Sequence, residues 1–242
     1  MNFDQWVISR LVAHGAYAGK IDDVPGRQMN AALRKFQEAE HLKVTGLADQ
    51  DTVNALRRDA ARASGLVQFI ASPVVPKEPV WMREARRYMG LKEVPGKQSN
   101  STIMGWAKRM GGWVASFYID DDIPWCGLFV NNSIAVTLPQ EPLPANPLGA
   151  LNWIKFGKAL TLPCLGAILV FRRDGGGHVG FYVGEDETHY HVLGGNQSNS
   201  VSITRILKTR LVGIRWPTTG PAYQVGRVWL NSQGVPVSKN EA

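Results

Sequence analysis

The sequence predicts an α+β fold, with helices packed on an antiparallel sheet and a small three-helix domain in front of them. Three observations carry this. Apolar residues recur at helical spacing through roughly the first sixty residues and again up to the segment after Cys126. Beyond Gly166 the pattern changes to short apolar runs separated by Gly, Asp and Asn turns. Between the two helical groups, Pro73, Pro76 and Pro79 fall within seven residues and exclude a regular helix or central strand.

The elements follow in order. Trp6, Ile8, Leu11 and Val12 mark a first helix that stops near Gly15. After the turn-rich stretch from Tyr17 to Gly26, a second helix is expected from about Arg27 to Glu40, with Met29, Leu33, Phe36 and Gln37 along one side. A third begins with Asp49 as its cap and turns Val53 and Leu56 inward. Residues 1–62 thus form one domain and 63–79 an extended, semi-rigid linker. A second domain covers 80–217, with a tail over 218–242. Its helices are expected near Val80–Tyr88, near Thr102–Met110 and from Cys126 onward, the last with Phe129, Val130 and Ile134 on one side. Its strands are expected at Ala167–Phe171, His178–Val183, Tyr190–Leu193, Val201–Ile203 and Leu211–Trp216.

Composition narrows the class. Hydrophobic residues at 44% and charged residues at 19% describe a globular chain, and no apolar run approaches the roughly 18 residues of a membrane span. The start, Met1-Asn2-Phe3-Asp4-Gln5-Trp6, lacks the basic-then-apolar order of a secretory signal, so synthesis in the cytoplasm is expected. The net charge is +7 and sits toward the C-terminal two-thirds: residues 80–217 hold fifteen Lys/Arg against ten Asp/Glu, residues 1–62 nine against eight. Such a surface suits an acidic polymer. A nucleic-acid partner is not expected, because there is no Lys/Arg-dense helix, zinc-finger spacing or RNA-binding aromatic signature. Cys126 and Cys164 are too few for a disulfide framework or a four-thiolate metal site.

A thiol is a nucleophile only as thiolate, so something must draw its pKa down from about 8.5. A helix N-terminus beneath the sulfur and a histidine beside it do this together. Pro124-Trp125-Cys126 places a cysteine where a helix should begin, since proline is tolerated at a helix entry. His178 opens a strand after Gly175-Gly176-Gly177, and Asn196, in Gly194-Gly195-Asn196-Gln197, is placed to fix the imidazole from the next strand's end. Each of these alone also reads as ordinary structure: a core thiol, a strand histidine, a turn amide.

The first sixty residues resemble the three-helix peptidoglycan-binding domain found at the ends of many wall hydrolases. The matching stretches are Gly15 to Asp22, Ala32 to Gln37 and Val44 to Thr52; Asp23 departs from the family's usual Gly. Residues 80–217 resemble the NlpC-like and CHAP-like papain-fold peptidoglycan hydrolases, in particular their phage-associated branch. The stretches that carry this are Gly90–Gly96, Ile123–Asn131, Gly176–Gly184, Leu193–Ser198 and Arg215-Trp216-Pro217. The resemblance implies a papain-like domain in which Cys126 is the nucleophile, His178 the general base and Asn196 the orienting group. His191, thirteen residues past His178, holds the NlpC-like alternative for that third role.

The resulting expectation is a monomeric endolysin that binds peptidoglycan and cuts amide bonds in its peptide part. It needs no cofactor or metal and reaches the wall after release from the cytoplasm. Its rivals are an N-acetylmuramoyl-L-alanine amidase and a non-catalytic wall-binding protein. A zinc site from His178, His189 and His191 lacks a His-Glu-x-x-His signature. Asp120-Asp121-Asp122 lacks the alternate spacing of a calcium loop and reads as a solvated acidic turn. His189 and His191 read as an exposed strand face, and Cys164 as a core thiol. A muramidase needs two carboxylates across a cleft, and neither Glu84, Glu93 nor the three aspartates form an evident pair.

Overall fold

The structure is a computed structural model that describes residues 3–18, 27–58, 78–96, 98–223 and 226–230. The loop containing Asp23, most of the expected linker and the end of the tail lie outside the described residues. The chain divides into two compact units, Met1–Arg83 with Val136–Pro139, and Glu84–Ala135 with Gln140–Ala242.

The first unit holds the three expected helices, α1 (Phe3–Ala13), α2 (Arg27–Ala39) and α3 (Gln50–Leu56). Trp6, Ile8 and Leu11 of α1, Met29, Leu33 and Phe36 of α2, and Val53 and Leu56 of α3 are all buried. Burial of each such side chain stabilises by about 1.5–3 kcal/mol. Gly15 ends α1 at φ 70°, a conformation open to glycine at little cost. Gln37, wholly buried, spans the loop between α2 and α3. Its Oε1 accepts the backbone N–H groups of Thr45 and Gly46, and its Nε2 donates to Leu47 O and Thr52 Oγ1. Asp49 caps α3 as expected, accepting the Thr52 N–H at 2.9 Å.

Helix α4 (Val80–Arg86) crosses the division between the units. The second unit continues with α5 (Ser101–Met110), α6 (Gly112–Phe117) and α7 (Cys126–Thr137, which belongs to this unit up to Ala135), then a 3-10 turn at Ala150–Lys155. Asn100 caps α5, its Oδ1 accepting the Thr102 N–H at 2.9 Å. Six strands follow: β1 (Lys158–Ala159), β2 (Ile168–Arg173), β3 (Gly176–Glu185), β4 (His189–Gly194), β5 (Ser202–Leu207) and β6 (Leu211–Trp216). They form one antiparallel sheet in the order β1-β6-β2-β3-β4-β5. The architecture is α+β.

Helix α7 carries no exposed face. Leu128, Phe129, Val130 and Ile134 are fully buried, and so are the polar Asn131, Asn132 and Ser133. A helix apolar or buried all round belongs in a core. Phe129 meets Phe181 of β3 edge-on at 6.1 Å between ring centres and Trp106 of α5 at 5.9 Å. Aromatic contacts thus hold the first turn of α7 against the centre of the sheet, which sets where Cys126 lies.

Candidate functional site

Cys126 is the first residue of α7 and is 5% exposed. Burial pushes its thiol up, because the charged form loses hydration. Hydrogen bonds from the backbone N–H groups of Val179 and Gly127, together with the Arg173 guanidinium, oppose that rise by favouring the thiolate. The Val179 donor is one residue past His178, so the nucleophile candidate sits against the start of β3. The close approach on the other side of Cys126 needs a glycine. A Cβ on Gly127 would lie 2.2 Å from Pro147 O.

His178 is fully buried, and its Nε2 lies 3.2 Å from Gln197 Oε1. The Gln197 amide is oriented by its other bonds. Nε2 donates to Ser202 O at 2.5 Å and to Val192 O and Gly194 O at 3.3 Å, while Oε1 accepts the Thr204 hydroxyl at 2.9 Å. With its oxygen toward the ring, Gln197 requires His178 Nε2 to be the donor. The neutral ring then keeps its basic lone pair on Nδ1.

The residue expected to orient the ring, Asn196, is not the side chain that meets Nε2. It is 2% exposed at φ 56°, and its Oδ1 is buried without a hydrogen-bond partner among the described residues. Asn196, Ser198 and Asn199 all have positive φ, so the chain turns tightly here, and it is the side chain of Gln197 that meets the imidazole. The turn packs on α7: a Cβ on Gly195 would lie 2.6 Å from Trp125 and Phe129. Three segments therefore converge, the start of α7, the start of β3 and the turn between β4 and β5. Gln197 and Thr204 were not singled out in the sequence. The Gln beside Asn196 was the only signal.

The acidic stretch before Cys126 corrects an expectation. Asp121 is wholly buried rather than solvated, and its Oδ2 accepts the backbone N–H groups of Val94 at 3.0 Å and Asn100 at 2.7 Å. Its Oδ1 has no hydrogen-bond partner among the described residues, and carboxylate oxygens of Asp120, Asp121 and Asp122 lie within 4.8 Å of one another. Glu93 accepts the Trp125 indole N–H at 2.6 Å; burial pushes its carboxyl up, as do the three aspartates. Asp121 and Glu93 thus tie the chain leading into Cys126 to residues 93–100.

His191 is also buried, at 1% exposure, not on an exposed face. Its Nε2 lies 2.9 Å from Asp186 Oδ2, which also accepts Arg205 Nε at 2.7 Å. His191 pairs with Gly184, six residues along β3 from His178, a separation of roughly 20 Å at about 3.3 Å per residue. His189 belongs to the same network, 3.3 Å from Arg205 through Nδ1. Cys164 is a buried thiol pushed up to about 11 by desolvation.

The first unit has its own concavity, of about 470 Å³, lined by Tyr17, Gln28, Ala31 and Lys35 among others. Residues 5–56 match the family described as putative peptidoglycan binding domain. A 52-residue stretch is 46% identical to the putative OxPP cycle protein OpcA of Nostoc punctiforme, covering 22% of this chain and 11% of that protein. The chain therefore spans about a tenth of that relative's length. No solved structure matches the chain. The family match identifies the N-terminal helices, residues 5–56, as a peptidoglycan-binding domain.

Proposed function

We propose that the second unit is a papain-like cysteine hydrolase that cuts amide bonds in the peptide part of peptidoglycan, brought to the wall by the N-terminal domain. The observation that carries this reading is the meeting of Cys126, at a helix start, with the β3 segment whose histidine is held by an amide oxygen. In the reaction the Cys126 sulfur attacks the amide carbonyl carbon, and its proton passes to His178 Nδ1. Backbone N–H groups at the start of α7 receive the oxyanion, where the helix end favours negative charge. The C–N bond then breaks, and the departing amine takes the proton from His178. Water, deprotonated by the same nitrogen, releases the acyl group and restores the thiol. Gln197 holds the ring and its tautomer throughout. The binding domain contributes by raising local concentration on an insoluble polymer.

Treatment of the whole chain with a thiol alkylator, set beside treatment with EDTA, tests the class. The expected result is loss of lysis of purified sacculi with the alkylator and retained lysis in EDTA. The reverse pattern would overturn the thiol reading in favour of a zinc amidase. The network around Asp186 speaks against that rival, since it engages His189 and His191 far along the sheet from His178.

A further inference from the structure

The segment Pro142–Gly157 packs against the glycine beside each member of the proposed catalytic pair. Its Pro147 and Leu148 carbonyls press on Gly127, where a Cβ would lie 2.2 and 2.8 Å from them, and its Leu151 presses on Gly177, where a Cβ would lie 2.7 Å from Leu151 Cγ. Trp153, fully buried, closes the middle of the segment by donating its indole N–H to Pro147 O at 2.9 Å. The segment thus runs from the residue after the nucleophile to the residue before the base. Within it lies a pocket of about 440 Å³, lined by Leu143, Asn146, Asn152, Lys155, Phe156 and Thr218 among others.

The pocket's chemistry has two parts. Pro142, Leu143, Pro144 and Phe156 supply an apolar wall. Lys155 supplies an exposed cation in the lining that has no ion pair among the described residues. The one carboxylate close by in the chain, Glu141, is turned to the backbone N–H groups of Thr218 at 2.7 Å and Thr219 at 2.6 Å and to the Thr219 hydroxyl. The rim is fixed in advance, because Asn152 Nδ2 donates to Asn146 O at 2.9 Å and Asn146 Oδ1 accepts the Gly149 N–H at 3.2 Å. A preformed concavity with apolar walls and one placed charge is the usual form of a small-ligand site.

We propose that this pocket is a substrate subsite for the carboxylate-bearing end of a short peptide chain, its aliphatic side chains against Leu143 and Phe156 and its carboxylate on Lys155. The inference rests on the hydrolase reading for the identity of the ligand as substrate, but the binding it asserts is separate from turnover.

The test uses the full chain as Cys126→Ala, which binds without cutting, and two probes, a D-Ala-D-Ala-terminated stem pentapeptide and its C-terminal amide. Titration followed by NMR is expected to show the acid bound about tenfold more tightly than the amide, as a charge-assisted hydrogen bond requires. Lys155→Gln removes that preference and Lys155→Arg keeps it, while both leave the amide's affinity unchanged. Equal affinity for acid and amide, or a preference that survives Lys155→Gln, overturns the subsite. If the preference appears as expected while the unsubstituted protein leaves the same pentapeptide and sacculi uncut, the subsite stands and the hydrolase reading falls.

Discussion

Gln197 Oε1 lies 3.2 Å from His178 Nε2, and a Cβ added to Gly194 would sit 2.9 Å from that oxygen and 3.0 Å from that nitrogen. The contact thus depends on a missing side chain as much as on the two that meet. The amide is turned by Thr204 on its oxygen and by three backbone carbonyls on its nitrogen, so the group facing Nε2 is an acceptor that calls for a donor there.

The first prediction concerns that third residue. Gln197→Ala should lower turnover on muropeptides by about 10²–10⁴-fold, the range for loss of an orienting partner. Asn196→Ala should cost little in rate and about 1 kcal/mol in stability, because alanine is less suited to its φ of 56°. His191→Ala should leave the rate near normal. The three variants compared on one muropeptide decide the matter. A crippled Asn196→Ala beside a near-normal Gln197→Ala would restore asparagine to the role.

Gly194→Ala makes the same argument without touching any functional group. The added methyl would push the Gln197 amide or the imidazole aside by several tenths of an ångström. Displacements of about 1 Å cost up to 10²-fold in rate, so a loss of at least tenfold is expected. Sedimentation with sacculi should not change, since the N-terminal domain is untouched. Full activity in this variant would show that the tight approach at Gly194 has no bearing on the chemistry.

Much of this was legible in the sequence, and the misses have physical causes. Pro124 before Cys126, and the glycine run before His178, report backbone geometry, which local sequence encodes well. Which side chain meets His178 depends on how a turn rotates successive side chains. Three consecutive-neighbourhood residues at positive φ, Asn196, Ser198 and Asn199, are not residues that announce this as glycine would. The burial of Asp121 and His191 runs against their local sequence for a related reason. Three adjacent acids look solvated until the backbone N–H groups of Val94 and Asn100 are known to face them. Helix α6 was missed because Trp113 and Phe117, the aromatics that define its periodicity, are exposed, at 49% and 55%. Strand β1, two residues long, offers no period at all.

The Asp186 network predicts an acid-side stability loss. Arg205 first, then His191 and the Thr188 and His189 N–H groups, hold the Asp186 carboxyl well below the usual carboxylate range against the opposing effect of its desolvation. A carboxyl depressed in the folded state contributes stability that is fully present above its unfolded pKa of about 3.9 and is lost as pH falls below it. Asp186→Asn should therefore lower stability at pH 7, by about 1–3 kcal/mol for a side chain that is 13% exposed. It should also flatten the loss of stability below about pH 4. Thermal melts of both proteins from pH 3 to 7 check this. Parallel melting curves, with the same slope on the acid side, would show that Asp186 does not supply the linkage.

The state of the Cys126 thiol sets how the proposed reaction begins. Burial pushes the thiol up, and the Val179 and Gly127 N–H groups and Arg173 only partly offset it, so a protonated resting sulfur is the expectation to test. Attack must then be coupled to proton transfer to His178, instead of starting from a standing thiolate. Alkylation by a small haloacetamide reports the thiolate fraction directly. In a Cys164→Ala background, which removes the second thiol, the Cys126 rate should climb about tenfold per pH unit through neutral pH with no plateau below about pH 8.5. Arg173→Gln should move that profile further to the alkaline side, because it removes a positive charge that favours the thiolate. A rate that is flat from about pH 5 upward would mean a preformed thiolate–imidazolium pair, and the general-base order of events would have to be abandoned.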